Sequence, residues 1–82
     1  MKKSNIKTIT FEVNNEPGFF VDIVEDKVEY GAWLYHKDYG IKQFMFGSIK
    51  NQHPNIDDFI DMVEANLDNQ DYVNGYKDDY FD

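Results

Sequence analysis

The chain has 82 residues, a formal net charge of −8 and no cysteine, and lysine supplies all eight of its cationic side chains. The absence of cysteine excludes disulfides, thiolate nucleophiles and zinc–thiolate or iron–sulfur sites, and the absence of arginine argues against bidentate recognition of phosphate. This length predicts one domain, residues 1–82, and a hydrophobic content of 41% is enough to form a core.

The same composition bears on the compartment in which the protein acts. No apolar run approaches the length of a membrane span, and no apolar signal-peptide core follows residues 1–5. Together with the lack of cysteine, this predicts a cytoplasmic protein without membrane contact. Abundant Asn, Lys, Ile, Asp, Tyr and Phe are typical of AT-rich coding sequences, which indicates a low-GC bacterium, or its phages or plasmids, as the source.

Four β-strands are predicted in the first two thirds of the chain, at about residues 6–13, 19–25, 28–36 and 41–49. In the first strand, Ile9, Phe11 and Val13 alternate with polar residues, as in a strand that buries one face. Short segments of turn composition separate the strands, at residues 14–18, 26–27 and 37–40. Connections this short predict an antiparallel β-meander.

One α-helix is predicted over about residues 55–69. Asn55 is a favourable N-cap, and Asp57 and Asp58 lie in the first turn, where the helix dipole favours negative charge. Apolar residues recur at the spacing of one helix face, at Ile56, Phe59, Ile60, Val63 and Leu67. The predicted fold is therefore α+β, with a four-stranded antiparallel meander and one C-terminal helix packed on one face.

Residues 70–82 form an acidic, aromatic tail whose structure the sequence leaves open. Tyr72, Tyr76 and Tyr80 have helical spacing, but the Asn74-Gly75 pair disfavours a helix. The tail is therefore expected either to fold back on the sheet or to remain free.

The loop lengths also predict the register of the strands. If residues 26–27 are a two-residue loop and residues 37–40 a four-residue loop, the pairs include Phe11–Val21, Ile23–Tyr30, Ala32–Met45 and Val28–Ile49. These pairs place apolar residues on one face, which the helix would cover. A slip of one residue would invert a strand, so the agreement between independently chosen loops supports the meander.

The opposite face of the sheet is predicted to hold five aromatic residues: Phe20, Trp33, Tyr35, Phe44 and Phe46. A sheet face that met only water would be polar, and an apolar patch of this size is typical of a binding site or an oligomer interface. Two alternatives stay open. Either the tail folds across this face, or another chain covers it, most simply in a two-fold homodimer.

A row of acids is the second candidate surface. Asp57, Asp61, Glu64 and Asp68 lie at i, i+4, i+7 and i+11 of the predicted helix. Residues 1–54 carry seven acids and seven lysines, whereas residues 55–82 carry nine acids and one lysine. The row is either a docking surface for a basic partner or an ordinary solvated helix face with a solubilising tail.

Residues for catalysis, metals or cofactors are not indicated. No spacing of His36 and His53 matches a zinc site, neither serine has nucleophile-elbow context, and no phosphate-binding glycine pattern occurs. The sequence predicts that the protein is not an enzyme and has no cofactor. A pocket lined by Asp22 and His36 would favour the enzyme hypothesis instead.

The favoured hypothesis is a non-enzymatic acidic protein-interaction module. It would act as an inhibitor or adaptor that binds a basic, nucleic-acid-handling protein, in its sharpest form as a mimic of nucleic-acid phosphate. Direct nucleic-acid binding is not expected, because the aromatic face lacks basic surroundings. The alternative is a homo-oligomeric structural or accessory protein that associates through the aromatic sheet face.

Overall fold

The computed structural model describes residues 7–68 and 70–81, and it shows a small α+β fold. The elements in chain order are β1 (Lys7–Glu12), β2 (Phe19–Glu25), β3 (Glu29–His36), β4 (Gln43–Ile49), α1 (Ile56–Asp68) and α2 (Asp71–Tyr80). The strands form one antiparallel sheet in the order β1-β2-β3-β4, which confirms the predicted meander. Ile6, Asn69 and Asp82, at the ends of predicted segments, lie outside the described residues.

Both helices cover the same face of the sheet, here called the inner face. The buried core between the layers consists of Val13, Phe19, Val21, Ile23, Tyr30, Ala32, Leu34, Met45, Phe59, Val63, Leu67, Val73 and Tyr76. The strands contribute alternate residues and α1 contributes residues spaced by four, as burial of one face requires. Among the described residues, neither helix has the length and apolar character needed to cross a membrane.

The hairpin between β2 and β3 is displaced by one residue from the predicted loop. The Asp26 carboxylate accepts hydrogen bonds from the backbone N–H groups of Val28 and Glu29, both at 2.9 Å. These bonds, that of Val28 first, hold the pKa of Asp26 below its ordinary value. The turn centre is therefore Lys27-Val28, because Asp favours the first position of a turn whose backbone it can hydrogen-bond.

This displacement shifts the β2–β3 register by two residues. Ile23 pairs with Ala32 instead of Tyr30, so the predicted register was wrong. A shift of two residues leaves every side chain on its predicted face, since side chains alternate with a period of two. The exception is Val28, which was expected in the core and is 66% exposed in the turn. The β1–β2 register, including the Phe11–Val21 pair, is confirmed.

A β-bulge interrupts the pairing of β3 with β4. Trp33 lies opposite Phe44, but Ala32 lies opposite Phe46 and not opposite Met45 as predicted, so that Met45 is the extra residue. The bulge turns Phe46 towards the helices, where its ring lies 5.8 Å from that of Phe59. The prediction that Phe46 belongs to the aromatic outer face was therefore wrong. The predicted Val28–Ile49 pair is also absent, since Ile49 pairs with Glu29 and is exposed.

The tail is a second helix that packs beside α1. Gln70 adopts a left-handed conformation, with φ of 63°, and so separates the two helices. Val73 and Tyr76 are fully buried, and their burial compensates for Gly75, which would cost an isolated helix about 1 kcal/mol. Phe81 continues the contact by stacking on Tyr39 at 4.7 Å.

Tyr76 joins α2 to the end of the sheet. Its hydroxyl donates a hydrogen bond to the carbonyl oxygen of Ile41 at 2.6 Å and accepts one from the backbone N–H of His36 at 3.3 Å. The hydroxyl therefore ties together the two ends of the β3–β4 connection. Because the tail binds the inner face, the alternative in which it covers the aromatic outer face was wrong.

We expect Tyr76→Phe to destabilise the protein by about 1–2 kcal/mol, because it leaves two partly buried backbone groups without their side-chain partner. Urea unfolding followed by far-UV circular dichroism measures this change. Tyr80→Phe, on the same helix but only partly buried, is the matched control and should change stability by less than about 0.5 kcal/mol. Equal losses in both variants would show that the Tyr76 hydroxyl has no special role.

Candidate functional site

The outer face of the sheet carries four of the five predicted aromatic residues. Phe20 lies opposite Tyr35 and Trp33 lies opposite Phe44, with ring centroids 5.8 Å and 5.0 Å apart. The shifted register places Asp22 opposite Trp33 in the neighbouring strand. Phe44 is 51% exposed. The name "outer aromatic face" is used below for Phe20, Val24, Trp33, Tyr35 and Phe44.

Asp22 lies within this face, and both of its carboxylate oxygens have a bonding partner. It is only 6% exposed, and its two carboxylate oxygens contact Thr10 Oγ1 at 2.7 Å and Lys42 Nζ at 2.8 Å. Lys42 Nζ also lies 5.4 Å from the centre of the Tyr35 ring. The negative charge of Asp22 is therefore paired within the face itself, as a buried carboxylate requires.

This pairing shifts the protonation equilibria of its neighbours. The hydrogen bond to Asp22, followed by the charge of that carboxylate, raises the pKa of Lys42. Burial, and then the same carboxylate, raises the pKa of Tyr35. The folded chain therefore keeps both protons up to a higher pH than the unfolded chain does. The resulting stability is present below the ordinary pKa values, near pH 10, and is lost as the pH rises through the folded-state values.

Two shallow hollows flank the Trp33 ring on this face. One, of about 240 Å³, lies over Gly31 and Gly47 and is also lined by Phe44. The other, of about 250 Å³, is lined by Val24, Trp33 and the Asp22–Lys42 pair. Both are smaller than the roughly 300–1,000 Å³ of typical small-molecule sites, and they suit inserted side chains better.

The structure does not bring Asp22 and His36 together. Asp22 lies on the outer face, whereas His36 packs on the inner side with its ring 4.9 Å from Phe19 and 5.2 Å from Phe81. The pocket that would have favoured an enzyme is therefore not formed by these two residues. Within residues 7–68 and 70–81, no group of three or more potential metal ligands is close enough to hold an ion.

One polar pair was missed by the sequence reasoning. Ser48 Oγ lies 2.7 Å from His53 Nδ1, across the connection between β4 and α1. The spacing of five residues gave no recognisable signal, because only the turn at residues 50–52 brings the two together. His53 also packs against Phe59, so the pair anchors the start of the helical layer.

The acidic residues lie on the two helices, which pack on the inner face of the sheet. Asp57, Asp61, Glu64 and Asp68 are all exposed on α1, and α2 adds Asp78 and Asp79. The helical part of the described chain contains one lysine, Lys77, whose Nζ is paired with Glu16 at 3.2 Å. The name "acidic helix face" is used below for Asp57, Asp61, Glu64, Asp68, Asp78 and Asp79.

No family model, curated protein or solved structure matches the chain.

The two glycines under the hollow of about 240 Å³ predict unequal effects of the same substitution. A Cβ on Gly47 would lie 2.7 Å from the carbonyl oxygen of Tyr30, whereas one on Gly31 would lie 3.6 Å from Phe44 and Trp33. We expect Gly47→Ala to destabilise the fold by about 1–3 kcal/mol, because backbone must move. Gly31→Ala should cost less than about 0.5 kcal/mol. Thermal unfolding compares the two, and a larger loss for Gly31→Ala would contradict the bulge geometry.

Loss of the Asp22 carboxylate is predicted to change the pKa values of Lys42 and Tyr35 to different extents. In Asp22→Asn, the pKa of Lys42 should fall back towards its ordinary value, because its main partner is lost. The pKa of Tyr35 should stay raised in part, because burial is its first cause. Side-chain NMR titration measures both. Glu29→Gln, which neutralises an exposed acid elsewhere in the sheet, is the control and should leave both pKa values unchanged.

Proposed function

We propose that this chain is a non-enzymatic protein-interaction module that binds a basic, nucleic-acid-handling protein through its acidic helix face, as an inhibitor or adaptor. The observation that carries this proposal is the excess of negative charge in the helical layer. Apart from Asp71, its described part, residues 56–81, has seven acids against one lysine, and that lysine is already paired with Glu16. The lack of cysteine suits the reducing cytoplasm, which we propose as the compartment.

The arrangement of the acids on α1 supports a binding role over a merely solvated one. Asp57 and Asp61, and Glu64 and Asp68, are like-charge pairs at i, i+4. Each such pair destabilises a helix by about 0.2–0.5 kcal/mol, whereas exposed helices commonly alternate signs to gain that energy. The acidic row therefore reduces the stability of the helix, and the cations of a basic partner would relieve the repulsion.

The geometry of the row also suits an extended basic surface. Its members lie roughly 4.5–6 Å apart along the helix axis, from the rise of 1.5 Å per residue. A line of negative charge at this spacing, exposed along one side of a rigid helix, presents the feature by which nucleic-acid-binding proteins recognise a phosphate backbone. This is the support for the narrower hypothesis of a nucleic-acid mimic.

The test compares two triple variants with equal net charge, Asp61→Asn/Glu64→Gln/Asp68→Asn on the helix and Glu12→Gln/Glu29→Gln/Asp38→Asn on the sheet side. Binding to an immobilised oligolysine, as a minimal basic partner, is measured by surface plasmon resonance. We expect the helix variant to lose about tenfold in affinity and the sheet variant less than about threefold, with both differences shrinking as salt rises.

Equal losses in the two variants would show that only net charge matters, and would contradict a docking role for the acidic helix face. Affinity that does not change between low and high salt would exclude the charge-driven mechanism altogether.

A further inference from the structure

We propose that the outer aromatic face is the interface of a symmetric homodimer, in which two copies of this chain pack sheet to sheet. The result would be a four-layer α/β/β/α particle with an acidic helix face on each outer side. The proposal of a dimer is based on the geometry of the sheet. Its consequence, a bivalent ligand for a basic partner, rests on the proposed function.

The first support is that the face is apolar and that the described chain does not cover it. Both helices and Phe81 pack on the inner side. Phe44, on the edge strand β4, is half exposed, and Phe20, Val24, Trp33 and Tyr35 are partly exposed. Antiparallel sheets that meet only solvent have a polar outer face, and contiguous apolar surface is typical of an interface.

The second support is the distribution of charge, which favours a second copy of this chain as the partner that covers the outer aromatic face. The described residues before α1 carry seven acids and five lysines, so the sheet layer is close to neutral, whereas the helical layer is strongly acidic. Packed layers lie about 10 Å apart, so sheet-to-sheet packing keeps the two helical layers about 30 Å apart. That separation is several times the Debye length of about 8 Å at physiological salt.

Pairing two copies through their helical layers would be opposed by repulsion between like charges. Contact through either helix would bring the acidic helix faces together with one described lysine per chain between them, and like charges in contact cost several kcal/mol in an interface. The outer face is thus the broad surface through which this acidic chain can meet a second copy without that repulsion.

The third support is that the face contains both projections and recesses. A two-fold interface uses the same patch on both partners, so the patch must be complementary to itself. Phe44 projects from the sheet, and the hollows of about 240 Å³ and 250 Å³ on either side of Trp33 can receive side chains of the other copy.

The buried charge in the face does not oppose this packing. Asp22 already has both carboxylate oxygens occupied by Thr10 and Lys42, so a covering sheet would not leave an unpaired charge. Exposed Thr8, Glu12 and Glu29 lie around the apolar centre, as in the polar rim of an interface.

The dimensions of the chain suffice for a stable contact. The molecule measures 41 × 31 × 17 Å, and the sheet is one of its two broad sides. A standard interface buries about 800 Å² per partner, and the surface of one chain is 5415 Å². The interface would therefore use roughly one seventh of the surface, which one broad side of the slab provides.

The test measures the mass of the full chain by sedimentation velocity and light scattering from about 1 to 300 µM, a range that reports dissociation constants down to the micromolar level. We expect a species of twice the monomer mass of 9.7 kDa. Phe44→Lys should shift the dissociation constant upwards by about 100-fold or more, because it replaces the most exposed ring of the apolar face with a cation. Val28→Lys, at an exposed apolar site in a turn, should remain dimeric.

A chain that stays at 9.7 kDa at the highest concentration overturns the proposal, as does a dimer that Phe44→Lys and Val28→Lys weaken equally. Far-UV circular dichroism confirms that both variants are folded. The experiment contains no basic ligand, so its failure is separate from that of the proposed function. Monomeric Phe44→Lys that still binds oligolysine would preserve the acidic helix face as a docking surface.

Discussion

The position of α2 on the inner face determines what the rest of this molecule can present to its surroundings. Val73 and Tyr76 are drawn into the same core as α1, and the Tyr76 hydroxyl fixes the helix to the backbone of the β3–β4 connection. Burial of two large side chains outweighs the weak helix propensity of Asn74-Gly75. The acids of both helices consequently lie on one side of the sheet and the open aromatic rings on the other.

This separation gives the two faces different physical roles. The acidic helix face acts over distance, and its attraction to a partner depends on ionic strength. The outer aromatic face acts only at contact, by removing apolar area from water. The Asp22–Lys42 pair shows how the sheet keeps the two roles apart, because the buried carboxylate of Asp22 on the outer face is neutralised there by Lys42.

The sequence predicted the parts of this fold that depend on periodicity. Alternation in the strands and the spacing of Phe59, Val63 and Leu67 in α1 identified the core, and Asn55 caps the helix as expected. What the sequence could not show depends on local geometry without a periodic signal. The Asp26 turn moved a hairpin by one residue, and the bulge at Met45 reversed the side on which Phe46 lies. The docking of α2 depended on long-range burial that competed with an unfavourable local pair.

The bulge at Met45 also bears on how sheets of this kind avoid polymerising. Strand β4 is at the margin of the sheet, where free N–H and C=O groups could recruit further strands and start fibrous growth. An extra residue increases the local twist and interrupts the ladder, and Lys42 and Lys50 flank the strand with charge. Lateral extension through β4 is thereby discouraged, even though the outer face beside it exposes aromatic rings.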